Sequence, residues 1–258
     1  MNRAEKIFRK NIMITKVVKL LKRLFNTFFI SGDLLRYKNQ NKLNNRNFPE
    51  IRLKDIKPIL SENTPNTDFD THYTYHPAWA ARLLQKIQPE KHVDISSALY
   101  FSAIISAFIP VEFYDFRPAN LQLSNLKTGR EDLTALSFED GSIQSLSCMH
   151  TVEHIGLGRY GDPIDPDGDL KAISELKRVL APGGSLLFVV PVGKPRIQFN
   201  AHRIYSYEQV IDYFGDLELK EFSLIPDNAR EVGIINNASH DLVEEQDYGC
   251  GCFWFTKD

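Results

Sequence analysis

Short apolar segments alternate with amphipathic segments from about residue 71 to residue 258. Apolar residues that recur every three or four positions predict helices, and short runs rich in β-branched and aromatic residues predict strands. The predicted strands are 92–95, 111–116, 143–149, 185–192, 217–225 and 250–257. The predicted helices are 76–87, 99–108, 167–184 and 206–215, the third of which ends at Pro182-Gly183-Gly184.

The run SLLFVVPV at 185–192 is almost wholly apolar. Such a strand is expected when helices cover both faces of a parallel sheet. Strands that alternate with helices predict a doubly wound, Rossmann-like α/β fold with a mostly parallel sheet. We therefore expect one α/β domain at 71–258.

The first 70 residues have a different character. Residues 1–50 carry a net charge of +9, whereas the remaining residues carry −11. Apolar residues at near-helical spacing between lysines predict a basic amphipathic helical arm at 1–35, and 36–70 has the composition of a connector.

Two roles fit the predicted arm: peripheral contact with an anionic membrane surface, or packing on the body or on a second subunit. Its lysines leave no uncharged span long enough to cross a bilayer. Because the basic charge is confined to the arm and the body is acidic, we expect no nucleic-acid partner.

The three cysteines are Cys148, Cys250 and Cys252, too few and too irregularly spaced for a disulfide framework or a four-ligand zinc site. One residue separates Cys250 from Cys252, whereas two separate most redox and zinc pairs. We expect reduced thiols in or near strands, no metal site, and a cytoplasmic protein.

The stretch HVDISSALYFSA (92–103) begins like a nucleotide-binding strand, with an apolar run that carries an acid, Asp94. Glycines usually follow, because the backbone turns sharply there and approaches a ligand closely. Ser96, Ser97 and Ala98 stand in their place. Either the chain binds its cofactor without these glycines, or it has kept the fold and lost the ligand.

Two longer stretches, DLTALSFEDGSIQSLSCMHTVEHI and DLKAISELKRVLAPGGSLLFVVPV, strongly resemble the central block of class I S-adenosylmethionine-dependent methyltransferases. The resemblance runs from about residue 90 to about residue 215, and several separate motifs occur in order with the right spacing. More narrowly, HVDISS, YDFRP and GLGRYGDPIDPDGD resemble an uncharacterised methyltransferase-like family associated with surface-polysaccharide genes.

The resemblance implies S-adenosylmethionine as cofactor. Asp115 matches the acid that accepts hydrogen bonds from the two ribose hydroxyls, and Asp132 matches the acid near the adenine amino group. Open α/β sheets bind ligands at the carboxyl ends of their strands, where these acids are expected. The full set of implied cofactor-binding residues is Asp94, Ser96, Ser97, Asp115, Asp132, Leu133 and Met149.

Methyl transfer to a hydroxyl requires a base, and histidine is the usual one. His150 is the first candidate for this catalytic role and His154 the second, although either can serve only to cap the turn or bond the backbone. The same residues fit His-x-x-Glu-His, a zinc-peptidase signature, but the position after a buried strand argues against that class.

Three residues are candidate acceptor contacts. Tyr160 belongs to the glycine-rich segment GLGRYG (156–161), which is expected to form a mobile lid. His202 and Arg203 follow the fifth predicted strand and could contact a polar or anionic sugar. The acidic run at 162–169 fails the EF-hand template, and helix capping explains most of it.

The leading functional hypothesis is a methyltransferase that modifies a small or glycan-linked acceptor in surface-polysaccharide biosynthesis. The competing hypothesis is a non-catalytic scaffold that keeps the fold within a glycan-assembly complex. The retained acids favour the enzyme, and the missing glycines favour the scaffold.

Overall fold

The computed structural model describes Leu21, Phe25, Phe28, residues 30–43 and residues 49–258. The chain divides into two compact units, residues 1–68 and 69–258. Most of the arm predicted at 1–35 lies outside the described residues. Within the described ranges, every helix is too short or too polar to span a bilayer.

In the first unit, part of the segment expected to be a connector is helical. Helix α1 (Ser31–Leu43) extends well past residue 36, and a short 3-10 turn forms at Leu53–Asp55. Leu21, Phe25 and Phe28 are more than half exposed, and their spacing of four and three places them on one helix face.

The second unit is an α/β domain with six helices and ten strands among its residues. The helices are α2 (Thr71–Ile87), α3 (Leu99–Ile105), α4 (Gly168–Val179), α5 (Tyr207–Tyr213), α6 (Ala229–Val232) and α7 (Asp241–Glu244). The strands are β1 (His92–Ile95), β2 (Val111–Asp115), β3 (Leu126–Arg130), β4 (Ile143–Met149), β5 (Leu180–Val192), β6 (Arg196–Gln198), β7 (His202–Ile204), β8 (Glu218–Ile225), β9 (Ile235–Asn236) and β10 (Gly249–Thr256).

Eight of these strands form one sheet in the order β3-β2-β1-β4-β5-β10-β8-β9. Strands β1 to β5 are mutually parallel, and β10 runs antiparallel between β5 and β8. The chain order reverses where β1 pairs with both β2 and β4, so a ligand crevice is expected there. The predicted doubly wound, mostly parallel fold is confirmed.

Strand β5 shows why the sheet is buried on both faces. Leu186, Phe188 and Val190 pack into the core beneath α4 and α5, whereas the alternate residues Leu187 and Val189 pack beneath α2 and α3. Because successive side chains of a strand point to opposite faces, only a continuous apolar run can serve two cores.

Helix α2 begins five residues before the predicted start at residue 76. The Asp70 side chain caps it by accepting a hydrogen bond from the Tyr73 backbone N–H at 3.0 Å. Pro77 therefore lies inside the helix and cannot donate to the Tyr73 carbonyl one turn earlier. The Tyr100 hydroxyl of α3 donates to that carbonyl instead.

Strand β3 was not among the predicted strands. It lies at the sheet edge, and of its five residues only Leu126 is buried. Without a second buried side chain there is no alternating pattern to detect, so pairing with β2 alone defines this strand.

A polar network crosses the buried middle of β1 and β4. The Ser147 hydroxyl donates to Asp94 at 2.7 Å, and the Ser102 hydroxyl also donates to this carboxylate. His92 contacts Ser147 through Nε2 at 2.9 Å and Ser145 through Nδ1 at 2.8 Å. Because Ser147 gives its only proton to Asp94, it accepts one from the His92 Nε2–H.

Burial shifts both titratable groups of this network towards neutrality. It lowers the pKa of His92 to about 3. It also raises the pKa of Asp94 to about 6, against the opposing effect of the serine hydrogen bonds. Between the folded and unfolded pKa values of His92, only the unfolded chain binds a proton at this residue.

We therefore expect His92 to make the domain less stable as the pH falls from about 6.5 towards 3. Its contribution to the free energy of unfolding should fall by about 1.4 kcal/mol per pH unit in that window. The raised pKa of Asp94 acts in the opposite sense between about pH 4 and 6, because there the folded chain binds the extra proton.

Urea unfolding of the His92→Gln variant between pH 7 and pH 4.5 measures this contribution. The variant should show a smaller loss of unfolding free energy on acidification than the parent chain does. The matched control is His240→Gln at an exposed site, which should leave the pH dependence unchanged. An equal acid-induced loss in the His92→Gln variant and the parent chain would contradict the assignment.

Candidate functional site

A cleft lies at the carboxyl ends of β1 to β4. It consists of two adjoining cavities of about 180 Å³ and 130 Å³. Ser96, Phe116, Ile155 and Tyr160 line both cavities. The cleft therefore occupies the switch point at which open α/β sheets bind ligands.

The serine turn after β1 forms the floor of the first cavity. Ser96 has a left-handed backbone with φ of +56°, the conformation for which glycine is usually chosen. Its N–H donates to the Tyr114 carbonyl at 2.7 Å, and its own carbonyl accepts from the Thr151 hydroxyl at 2.8 Å. The chain thus makes the sharp turn without glycine and fixes it with neighbouring strands.

Ser97 has a different task in the same turn. Its hydroxyl accepts a hydrogen bond from the Met149 backbone N–H at 3.0 Å. Met149 is the last residue of β4 and is fully buried, so this bond satisfies a donor that water does not reach. Both serines and Met149 line the first cavity, where the resemblance places the methionine end of the cofactor.

The position of Asp94 differs from the one predicted. It was expected beside the cofactor, but it is fully buried and its carboxylate belongs to the serine and histidine network of β1 and β4. It lines neither cavity. The hydroxyl and the backbone N–H of Ser97 also donate to this carboxylate, so Asp94 holds the serine turn directly.

Asp115 lines the first cavity and Asp132 lines the second, and the two acids lie at the carboxyl ends of the neighbouring strands β2 and β3. Oδ1 of Asp115 accepts the Arg117 N–H at 2.7 Å. Oδ1 of Asp132 accepts the Thr134 N–H at 2.9 Å and the Thr134 hydroxyl at 2.7 Å. Leu133 is buried and lines the second cavity beside Asp132.

His150, Glu153 and His154 form a buried group after β4. Nδ1 of His150 lies 2.8 Å from Oε1 of Glu153, and Nε2 of His154 lies 3.6 Å from the same oxygen. Burial raises the pKa of Glu153, but the two imidazoles outweigh burial and lower it. Glu153 is therefore an ionised acid that orients His150 and lies beside His154.

The two histidines differ in the partners of their ring nitrogens. Nε2 of His150 is buried without a hydrogen-bond partner among the described residues. His154 donates from Nδ1 to the Ala201 carbonyl at 2.6 Å, which leaves Nε2 as the basic nitrogen. Burial lowers the pKa of His154, so its imidazole is neutral at pH 7.

The segment 152–154 is a 3-10 turn, and His150 precedes it with φ of +55°. The helical arrangement that a zinc-peptidase motif needs is therefore absent from this described segment.

The glycine-rich segment is a fixed turn where a mobile lid was expected. Asp162 accepts the backbone N–H groups of Gly156 at 2.8 Å, Gly158 at 3.3 Å and Tyr160 at 3.1 Å. A Cβ on Gly156 would lie 2.0 Å from the Asp165 carbonyl oxygen, so glycine serves close packing there. Tyr160 lies in both cavities and packs under the Arg117 guanidinium, 4.4 Å from its ring centre.

The contacts of Arg203 also differ from those predicted. It was expected to contact the acceptor, but it is buried and its guanidinium donates to the Ile155 carbonyl at 2.6 Å and the Pro166 carbonyl at 3.1 Å. Its Nε lies 3.4 Å from Asp169. Arg203 therefore holds the loop that follows the 3-10 turn.

His202 lies behind the cleft and lines neither cavity. Its ring is 4.9 Å from that of Tyr248 and 6.2 Å from that of His154. It therefore supports the His154 side of the site.

Several cleft residues were not predicted from the sequence. Phe116 and Arg117 directly follow Asp115, and Thr151 directly follows His150, so their neighbours could have indicated them. Tyr73 reaches the cleft from α2, about twenty residues before β1, and no sequence motif marks it.

Comparison with known proteins gives one partial family match. The family described as "Caenorhabditis protein of unknown function, DUF268" matches residues 137–223, about a third of the chain. No curated protein matches the sequence.

Several solved structures are similar in fold. The TehB-like SAM-dependent methyltransferase from Corynebacterium glutamicum is 17% identical, with 71% of this chain and 88% of that chain covered and a TM-score of 0.46. A SAM-dependent methyltransferase from Methanosarcina mazei is 14% identical, with 68% and 97% covered and a TM-score of 0.45.

A third similar structure is the Haemonchus contortus phosphoethanolamine N-methyltransferase 2 in complex with phosphomonomethylethanolamine and S-adenosylhomocysteine. It is 14% identical, with 70% of this chain and 53% of that chain covered and a TM-score of 0.46. The fold assignment rests on the strand order described above.

The two serines of the turn should respond oppositely to replacement by glycine. Ser96→Gly should stabilise the domain by up to about 1 kcal/mol, because glycine adopts the left-handed backbone without steric cost. Ser97→Gly should destabilise it by about 1–3 kcal/mol, because the buried Met149 N–H loses its acceptor. Urea unfolding of the two variants measures both effects, and equal effects of the same sign would contradict this account.

Proposed function

We propose that this chain is an S-adenosylmethionine-dependent methyltransferase. The observation that carries the proposal is the placement of Asp115 and Asp132 in adjoining cavities at the carboxyl ends of consecutive parallel strands. An acid in each cavity suits a ligand with ribose hydroxyls at one point and an adenine amino group at another.

The residues of the cleft fit this cofactor. Asp115 would accept the ribose hydroxyls, and Oδ2 is the oxygen that its bond to Arg117 leaves for them. Asp132 would lie near the adenine amino group, with Leu133 and Phe116 as apolar surface for the ring. When bound, the cofactor supplies a methyl group already activated by its sulfonium centre.

The serine turn supports cofactor binding in this proposal. Ser96 already adopts the left-handed backbone that glycine would allow, so the glycine-free sequence does not prevent the turn from forming. The first cavity is lined by Ser96, Ser97 and Met149, and this is where the methionine portion would bind.

We infer that His154 is the general base. Its Nε2 carries the lone pair, because Nδ1 donates to Ala201, and Glu153 lies close enough to stabilise the imidazolium that forms. His150 was the first candidate from the sequence and also lines the first cavity, but its Nε2 is buried without a hydrogen-bond partner among the described residues, so we assign it a different role below.

The acceptor we propose is a small or glycan-linked molecule with a polar group. Tyr160 and His154 both line the first cavity, so a hydroxyl-bearing acceptor would meet hydrogen-bonding groups there. A role in surface-polysaccharide biosynthesis rests on the resemblance of the loop motifs alone.

We propose a cytoplasmic location with peripheral membrane contact through the N-terminal segment. The support is the charge of +9 in residues 1–50 and the exposed apolar positions Leu21, Phe25 and Phe28. Apolar residues on one face of a basic helix suit an anionic lipid surface.

Calorimetric titration with S-adenosylmethionine and S-adenosylhomocysteine tests the cofactor assignment. We expect one-to-one binding to the parent chain and at least a tenfold loss of affinity in Asp115→Ala, because the ribose hydroxyls lose their acceptor. The control Asp212→Ala changes an exposed acid on α5 and should bind as the parent does.

The variant His154→Ala separates binding from chemistry. It should bind the cofactor normally and lose methyl transfer to any acceptor that the parent chain modifies. Absence of binding to the parent chain at millimolar ligand would overturn the proposal and favour the non-catalytic scaffold.

A further inference from the structure

Three buried side chains that suit a metal ion meet beside the cleft. A ring nitrogen of His72, a ring nitrogen of His150 and the Sγ of Cys250 all lie within 4.8 Å of one another. Their residues are at most 8% exposed. We propose that these three side chains bind one zinc ion, contrary to the absence of a metal site expected from the cysteine spacing.

The topology brings these residues together from distant parts of the sequence. His72 lies in the first turn of α2, His150 follows the carboxyl end of β4, and Cys250 lies near the start of β10. Because β10 runs antiparallel to β5, its start lies at the same sheet edge as the ends of β4 and β5. A bound ion would therefore connect α2 to two strands of the sheet.

A hydrogen bond orients the His150 imidazole as metal ligands are usually oriented, because its Nδ1 lies 2.8 Å from the Glu153 carboxylate. The His72 ring stacks on the Tyr248 ring, with the ring centres 5.1 Å apart. Metal-binding histidines almost always donate their other N–H to a carboxylate or a backbone carbonyl. The His150–Glu153 pair thus presents Nε2 of His150 as the ligand atom.

Unpartnered polar atoms surround the same point. Within residues 49–258, buried atoms without a hydrogen-bond partner include Nε2 of His150, Oε2 of Glu153 and both ring nitrogens of His76. His76 lies one helical turn after His72, and its ring centre is 5.2 Å from that of His150. A buried polar group without a hydrogen-bond partner lowers the free energy of unfolding, so the clustering of such groups here indicates that a ligand binds between them.

Zinc would satisfy Nε2 of His150 directly. Three protein ligands leave one position of a tetrahedral ion for water, and a zinc-bound water would give His76 a hydrogen-bond partner. Bonds of about 2.0–2.3 Å separate tetrahedral ligand atoms by roughly 3.3–3.6 Å, so the donors need to approach one another by up to about 1.5 Å.

Zinc would bind the neutral imidazoles of His72 and His150 and the thiolate of Cys250, so binding would release the proton of the thiol. This site does not depend on the proposed methyl transfer.

Metal analysis of the chain, purified without a histidine tag and under reducing conditions, tests the proposal. We expect about one zinc per chain, and a chelator should lower the melting temperature until zinc is restored, because the ion joins α2 to the sheet. Replacement by Co²⁺ should give the near-ultraviolet absorption of a thiolate–cobalt bond. Less than a tenth of an equivalent after incubation with excess zinc would overturn the proposal, as would stoichiometric copper in preference to zinc.

Ligand variants identify the residues involved. Cys250→Ser and His72→Gln should each weaken zinc binding by at least about a hundredfold, more than the loss usually seen for an outer-shell partner. Cys148→Ser and His240→Gln replace the same residue types away from the cluster and should bind zinc as the parent does. Circular dichroism checks that each variant is folded, and full zinc occupancy in a folded Cys250→Ser chain would contradict the ligand assignment.

Discussion

Two hydrogen bonds between the end of β4 and the turn after β1 hold the site together. The Met149 N–H donates to the Ser97 hydroxyl, and the Thr151 hydroxyl donates to the Ser96 carbonyl. They join β1 and β4, the two adjacent strands at which the sheet reverses its order. The cleft and the histidines after β4 depend on this junction, because they lie at the ends of these two strands.

The second constraint is the burial of charge beside this junction. Glu153 is fully buried and remains ionised because His150 and His154 are close to it. A buried carboxylate is tolerated only when partners compensate for lost hydration. The same carboxylate contacts Nδ1 of His150 at 2.8 Å and lies 3.6 Å from Nε2 of His154, so one acid would serve both the proposed zinc ligand and the proposed base.

The sequence predicted the central elements well because their patterns are strong. The apolar run of β5 predicted a strand buried on both faces, and the predicted strand 111–116 placed Asp115 near a strand end. Edge strand β3 was missed because it buries a single side chain. Asp94 and Arg203 were assigned to ligands because they occupy suggestive positions, but each donates or accepts within the protein, and a sequence does not reveal which polar residue has a buried partner.

The sequence by itself determined the doubly wound fold, the order of its main elements and the acid that ends β2, since these depend on local periodicity and spacing. Only the tertiary structure decided which polar groups face the cleft and which form hydrogen bonds inside the protein. It also brought His72, His150 and Cys250 together, residues separated by 78 and 100 positions. Their proximity arises from the antiparallel insertion of β10 and the docking of α2, which are long-range contacts that no local pattern encodes.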